Sequence, residues 1–594
     1  MRSPENVGGI CRRVGLGAGR VAASALVASC LLAALPAHAG GFLRAQGRHI
    51  VDEQGNVVLL RGIGLGGWML QEGYMLEVQG NGTQRSIRAR ISELIGPEKA
   101  EAFYQAWRDN HVTKADIDAL AAWGFNSVRL PMHYELYTPP VSDEPVRGQQ
   151  TWREEGFRRT DELLSWVKAN GMYLVLDLHA APGGQGNDLN ISDRDPATPS
   201  LWDDEANRDK MVALWRKLAD RYKDEPAIAA YDIINEPNWG FADAGDKHGC
   251  SENGNAPLRD LLVRTTQAIR EVDRRHIVVI EGNCWGNNYR GVLDQGLWDD
   301  NLVVSFHKYW NGTRRDTLED PLALRERWNL PLWLGETGEN SNDWFTRTVA
   351  TVEAEGIGWA IWPLKKIRYN NPLQIQPNPG YAKVLAYWRG ESARPAPAEA
   401  EAALMTLATH DIRYENNTFH PDVVDALLRA PGDDRSVPFK DHRIGAGGGT
   451  GMDTIAAVDF DMGRNGVAYH DLTSANESGK PDTGWNPSKT YRNDGVDLAD
   501  GADGLHVADM QPGEWLKYTF TAANAGRYGL QLQGSRGDAR VTLNGVVVGK
   551  ATTGRPREVA LLEGRNTLVI EAISAGTDLQ SVQFTPPTAA SERR

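Results

Sequence analysis

The feature that most constrains this chain is a series of eight apolar, β-rich segments alternating with helical periodicity between residues 58 and 364. The segments are 58–66, 127–132, 173–179, 228–237, 276–283, 302–310, 330–338 and 356–364. Each is nearly continuously apolar rather than alternating, as strands buried on both faces must be. Between them, 114–124, 157–171, 208–222, 258–273 and 343–356 repeat apolar residues at three- and four-residue spacing, often closed by Gly. That alternation predicts a parallel sheet, because parallel strands need a crossover to return. Eight such units suit a closed (β/α)8 barrel, although a doubly wound sheet has the same local grammar.

At 594 residues the chain is too long for a single core. Residues 40–390 form the expected barrel domain, opened by a hairpin pattern around Glu53-Gln54-Gly55-Asn56. Residues 391–452 read as a Pro/Ala/Glu linker with one short helix at 419–430 and a Gly-rich hinge at 445–451. From 453 to 586 short strand patterns and frequent turns replace the helices, predicting a β-sandwich.

Residues 1–39 read as an export signal: a basic start ending near Arg20, an apolar run from Val21 to Pro36, then Ala37-His38-Ala39. A secreted or periplasmic protein is expected, with acylation at Cys30 as the lipoprotein alternative; no other segment could span a bilayer. Cys11 and Cys30 would leave with the signal. Cys250 and Cys284 remain, either paired in an oxidising compartment or as free thiols, and without zinc-site spacing. The formal net charge is −14, with no basic cluster to offset it, which argues against nucleic acid and for a neutral substrate. The composition includes 19 Trp, more than Tyr or Phe, and such flat apolar faces match the C–H faces of sugar rings.

In a (β/α)8 barrel the chemistry collects at the C-terminal strand ends. Those ends carry Arg129, His179, Asn235, Glu236, His307, Tyr309, Glu336 and Trp362. Two carboxylates on the fourth and seventh strands are the pair that glycosidic bond cleavage needs. Glu236 is expected as the acid/base, with Asn235 toward a substrate 2-hydroxyl. Glu336 is expected as the nucleophile, ionised and aimed by Arg129 and Tyr309. His179 and His307 would line the subsite and Trp362 would floor it. Trp68, Trp202, Trp239, Trp285 and Trp310 are either further platforms or core.

These residues, in VRLP (128–131), DLH (177–179), INEPN (234–238), HKY (307–309), LGETG (334–338) and Trp362, resemble glycoside hydrolase family 5, the cellulase-type family. The resemblance covers about residues 43–390 and implies a retaining β-glycosidase needing no cofactor or metal for catalysis. Residues 60–73 and 177–188 are most similar to exo-β-1,3-glucanases, while the residues after HKY and IWPL differ, so the linkage stays open among β-1,3, β-1,4, β-1,6 and other β-glycosides. The implied substrate is a β-glucan or related polysaccharide, acted on by a monomer. A transglycosylase, or a polysaccharide-binding protein that has kept the barrel, are the other readings. Residues 467–472, 490–498 and 513–520 resemble a family 6-type carbohydrate-binding module, which implies a structural calcium ion. Asp509 stands where that family commonly places a stacking aromatic. Trp515 and Tyr518 are expected in the core, leaving Tyr469, Trp485 or Tyr491 as alternative sugar platforms.

Overall fold

The computed structural model describes residues 41–367, 370–430, 432–446, 452–474, 491–502, 504–534 and 537–586. The expected signal segment at 1–39, with Cys11 and Cys30, lies outside the described residues, as does Trp485.

Eight parallel strands close into a barrel: β1 (Arg61–Gly64), β2 (Ser127–His133), β3 (Tyr173–Ala180), β4 (Ile228–Asp232), β5 (Ile277–Ile280), β6 (Leu302–Lys308), β7 (Leu332–Gly338) and β8 (Gly358–Trp362), with β8 returning to β1. Six of the eight fall inside the segments expected from the sequence, β2 and β3 run one residue past theirs, and closure excludes the doubly wound alternative. The other six are shorter because the expected ranges ran on into polar strand ends and turns, where pairing stops.

Alternation along each strand sets what faces where. In β3, Leu174, Leu176 and Leu178 join the large cluster between barrel and helices, while Tyr173 and Val175 fill the barrel interior. The next inward positions are Asp177 and His179, so the interior passes from apolar at one end to polar at the other. Helices Glu154–Ala169, Glu205–Tyr222, Ala256–Arg270 and Asn342–Ala354 cover the barrel with one apolar face each.

Two features depart from the expected organisation. Helices Gln84–Ile95 and Pro97–Asn110, between β1 and β2, build a separate apolar cluster with Pro379–Trp388. The segment expected as a linker joins that cluster: helix Pro397–Thr406 and the turn Leu407–Asp411 bury Ala400, Leu404, Leu407 and Ala408 against Ile87, Phe103 and Trp107. Its Ala-rich composition is that of a strong helix former with a small-residue face, which composition alone confuses with a spacer. Helix Pro421–Leu428 then buries Val423 and Leu427 in the main core.

The C-terminal region is rich in strands. A six-stranded and a four-stranded sheet share one apolar cluster, and alternating burial along Gly526–Gln533 and Gly564–Ala572 marks their inner faces. Strand Arg443–Ile444 already pairs with Thr521–Ala522, so this region begins before residue 453. Tyr518 is buried and donates to the Ala457 carbonyl at 2.8 Å, whereas Trp515 is only half-buried. Tyr469, offered above as a sugar platform, is 1% exposed and packs against Phe460, so it is a core residue. Tyr491 is half-buried, with its hydroxyl on Asp459 and Lys440.

Candidate active site

The polar strand ends converge on one cleft of about 800 Å³, lined by His179, Glu236, His307, Tyr309, Glu336 and Trp362 among others. Strand parity aims most of them. Val303, Ser305 and His307 point inward along β6, as do Ala360 and Trp362 along β8. Glu336 would point outward on the parity that puts Trp333 inside. A register shift between the Leu334 and Glu336 pairings with β6 turns it into the cleft, the usual effect of a bulge. Glu236 follows β4 in a left-handed conformation (φ 46°), uncommon for a non-glycine residue.

Arg129 is the electrostatic centre. Its guanidinium is fully buried and donates to Asp232 Oδ2 (3.0 and 2.9 Å), Asn235 Oδ1 (2.8 Å), Glu281 Oε1 (3.2 Å) and Glu336 Oε1, with Asp177 at 3.2 Å. Tyr309 donates its hydroxyl to the other Glu336 oxygen at 2.7 Å. Burial alone would raise the Glu336 carboxyl, but Arg129, His307, His179 and the Tyr309 bond outweigh it and bring it down to about 2. Glu336 is therefore held ionised.

Glu236 has the opposite setting. Burial raises its carboxyl above the ordinary range; His307 opposes that, and the charges of Glu336 and Glu281 add to it. His307 Nδ1 lies 2.6 Å from Glu236 Oε1, and its Nε2 lies 3.2 Å from Glu281 Oε1. Burial would lower this imidazole, yet Glu281, Glu336 and Glu236 lift it well above its usual value. Glu281 also accepts the Glu236 backbone N–H at 2.7 Å, fastening the left-handed turn. One oxygen of Glu236 and one of Glu336 lie within 4.8 Å of each other.

Trp362 closes the base of the cleft, stacked on His179 at 5.0 Å and 12°. Its indole fits only because Gly64 and Gly66 carry no side chain: a Cβ at either would come within 2.4 and 2.7 Å of the ring. The early Gly cluster thus makes space for an aromatic. Glu72 and Tyr74, in the loop after β1, complete this end, and Tyr74 accepts the Trp362 N–H at 3.0 Å. Burial and then the neighbouring Glu336, Glu339 and Glu236 raise the Glu72 carboxyl well above its ordinary value.

Trp285 and Trp310 line the mouth, and Trp310 is 76% exposed. Trp68 is core, while Trp202 and Trp239 are half-buried beside the cleft loops, bonded to Gln185 and covered by Arg194 respectively. Cys250 and Cys284 are joined in a disulfide across 34 residues, and both border the cleft. On the chain-entropy model a loop of that length stabilises by about 3–4 kcal/mol. The Cys250→Ser/Cys284→Ser variant is expected to lose most of that in urea unfolding. A loss below about 1 kcal/mol would contradict the assignment.

Of the eight strand-end residues singled out from the sequence, six line this cleft, and Arg129 and Asn235 lie behind it, bonded to each other and, through Arg129, to Glu336. Sequence reasoning missed Asp177, Asp232, Glu281, Glu72 and Tyr74. The signal for the first three was available: Asp177 lies within a buried apolar strand, Asp232 ends one and Glu281 directly follows one, where only a pairing cation makes burial tolerable. Nothing in the local pattern marks Glu72. The triples Asp177/His179/Glu336 and Glu236/His307/Glu336 are close enough to hold a metal ion, and both are made of the residues just described.

Residues 88–366 match the family model described as Cellulase (glycosyl hydrolase family 5). The chain is 31% identical to a beta-xylosidase of Phanerodontia chrysosporium, over 45% of this chain and 52% of that protein. It is 32% identical to a probable glucan 1,3-beta-glucosidase A of Aspergillus clavatus, over 37% of this chain and 50% of that protein. The chain thus spans about half the length of these curated relatives. Among solved structures it is similar to Cellulase Cel5C_n at 18% identity and a TM-score of 0.39, over 62% of this chain and 93% of that one. The matched stretch, 88–366, holds seven of the eight barrel strands, β2 to β8.

Proposed function

We propose that this protein is a retaining β-glycoside hydrolase acting on β-glucosidic linkages of a polysaccharide or oligosaccharide. The observation that carries the reading is a pair of carboxyl groups with oxygens within 4.8 Å whose proton affinities are shifted in opposite directions, Glu336 down to about 2 and Glu236 up from its ordinary value. That closeness suits direct attack by a carboxylate, since inversion needs a wider gap with room for water. Glu336 attacks the anomeric carbon while Glu236 protonates the departing oxygen. Glu236, now ionised, takes a proton from water that releases the glycosyl-enzyme, so configuration is retained. Asn235 is held by Arg129 with its amide beside His179, where a 2-hydroxyl would lie. Trp362 offers a stacking face beneath the ring.

The relatives' names favour a glucan or xylan backbone. The test is hydrolysis of β-1,3-, β-1,4- and β-1,6-glucans and aryl β-glycosides, with the first-formed anomer followed by NMR. Initial β-anomer is expected; initial α-anomer would refute the double displacement, and an inert enzyme would refute the hydrolase reading. Products longer than the substrate would reveal transglycosylation instead.

The two carboxyls also predict a bell-shaped pH profile of kcat/KM. Glu336, lowered to about 2, must lose its proton, so the acid limb lies below the ordinary carboxylate range. Glu236, raised above 4.5, must keep its proton, so the alkaline limb lies above that value. A profile that falls already between pH 4 and 5 on its acid side, measured with an aryl glycoside, would contradict this assignment.

Export through residues 1–39 is part of the proposal. The disulfide suits an oxidising compartment, and among the described residues no helix is long and apolar enough to cross a membrane. A calcium ion in the C-terminal region would be held by Asp471 and Glu514, oxygen donors of the kind that ion takes. Both are buried, and burial together with Glu514 pushes the Asp471 carboxyl up to about 8, as expected of acids short of positive charge.

A further inference from the structure

We infer that the C-terminal strand-rich region is a structural part of the catalytic centre, and that its Asn493 is a positioning residue for the loop that follows the Glu336 strand. The inference rests on the proposed glycosidase reading for its kinetic consequence.

Glu336 lies two residues before the end of β7; the loop after Gly338 passes through Glu339 in a left-handed conformation (φ 51°) and enters helix Asn342–Ala354 at the N-cap Ser341. Its course is held from two sides. On the barrel side, the Asn340 amide donates to the Tyr309 carbonyl at 2.8 Å, and the Tyr309 hydroxyl reaches Glu336 at 2.7 Å. On the other side is Asn493. Its side-chain amide donates to the Asn340 carbonyl at 2.8 Å and to Asn342 Oδ1 at 3.0 Å. Its backbone carbonyl accepts the Asn342 N–H at 2.9 Å, and its backbone N–H donates to Asp422 Oδ2 at 2.8 Å. Asp422, on helix Pro421–Leu428, also takes the Asn342 amide at 2.7 Å. Asn340, Asn342, Asp422 and Asn493 are all at most 4% exposed.

Asn493 is itself fixed within its own region. The neighbouring Arg492 is buried over the Phe460 ring at 3.9 Å, donates to the Phe460 carbonyl and reaches Asp494 Oδ2 at 2.8 Å. A tethered accessory module would leave the β7 loop's polar groups to water. Here a buried amide from the strand-rich region satisfies them, and hydrogen bonds in such a setting are directional and costly to leave unmade. The chain of contacts runs from Asn493 through Asn340 and Tyr309 to the Glu336 carboxylate, where small displacements are expressed in the rate of attack.

The test uses the full chain with Asn493→Ala and Asn493→Asp; the second keeps the shape and removes the amide donors. With an aryl β-glycoside, kcat is expected to fall by about 10- to 100-fold with KM changed less than about threefold. Hydrogen exchange of the peptide spanning 338–343 should quicken in both variants. Tyr518→Phe, which loosens the same strand-rich region through the Ala457 bond without touching the loop, serves as the control and should leave kcat within about twofold. Unchanged kcat in folded Asn493 variants, or an equal loss in Tyr518→Phe, would overturn the inference. If wild type proves inert on all substrates the glycosidase reading fails, and unaltered exchange at 338–343 would then refute the positioning role separately.

Discussion

Replacing Glu336 by Gln is expected to lower kcat by at least about 10⁴-fold, because the whole covalent route is lost with the nucleophile. The exchange is nearly isosteric, and Gln can still meet Tyr309 and Arg129, so folding should survive. Replacing Glu236 by Gln is expected to cost about 10²- to 10⁴-fold, and most on substrates whose leaving group needs the proton. Small anions separate the roles. In Glu336→Ala, azide can enter the vacated space and attack the substrate directly, giving an α-glycosyl azide. In Glu236→Ala, an activated aryl glycoside still forms the glycosyl-enzyme, and azide then releases it as the β-azide. Product analysis by NMR reads both. Exchanged anomers would mean that the two roles are reversed, and unchanged turnover in either Gln variant would remove that residue from the chemistry.

The second large effect concerns Arg129. Its guanidinium lies among Asp177, Asp232, Glu281 and Glu336 at the closed end of the cleft, with no exposed atom in its side chain. Arg129→Met keeps much of the volume and removes the charge, leaving buried acids without their cation. Breaking a buried ion pair from one side costs about 3–5 kcal/mol. A loss of that size is expected in the unfolding free energy measured in urea, together with near-complete loss of activity as Glu336 is no longer held low. Arg129→Lys should recover part of the stability but little of the rate. A single ammonium cannot span Asp232, Asn235 and Glu336 as the planar fork does. A destabilisation below about 1 kcal/mol in Arg129→Met would show that the acids relax into neutral forms, and that Glu336 owes its ionisation to other groups.

The candidate carboxyl pair was legible because it follows from local pattern. Glu236 and Glu336 stand at or just beyond the ends of apolar runs long enough to be barrel strands, and the (β/α)8 rule sends such ends to one rim. Glu281 and Asp232 obey the same grammar, yet an isolated acid after an apolar run has many explanations. Their importance appears only when Arg129 is found between them. The aim of Glu336 was not legible at all. Parity from Trp333 points it out of the barrel, and the register shift against β6 that brings it in depends on the neighbouring strand. Residues 391–430 show the opposite limit, since Ala-rich composition describes both a spacer and a helix until a partner surface is present.

Sequence by itself determined the eight-strand alternation, the polar residues delivered to one end of the barrel, the two cysteines available to pair and the strand-rich character of the C-terminal region. All of these depend on hydrophobic period and residue type within a few residues of chain. Tertiary structure alone decided that the ring closes and that Arg129 holds Asn235 and four acids. It also decided that Glu236 and Glu336 come within 4.8 Å with proton affinities shifted in opposite directions, and that Asn493 reaches the loop behind Glu336 from more than 150 residues away. Proton affinity and aim are set by whatever surrounds a group, and in this protein those surroundings come from distant parts of the chain.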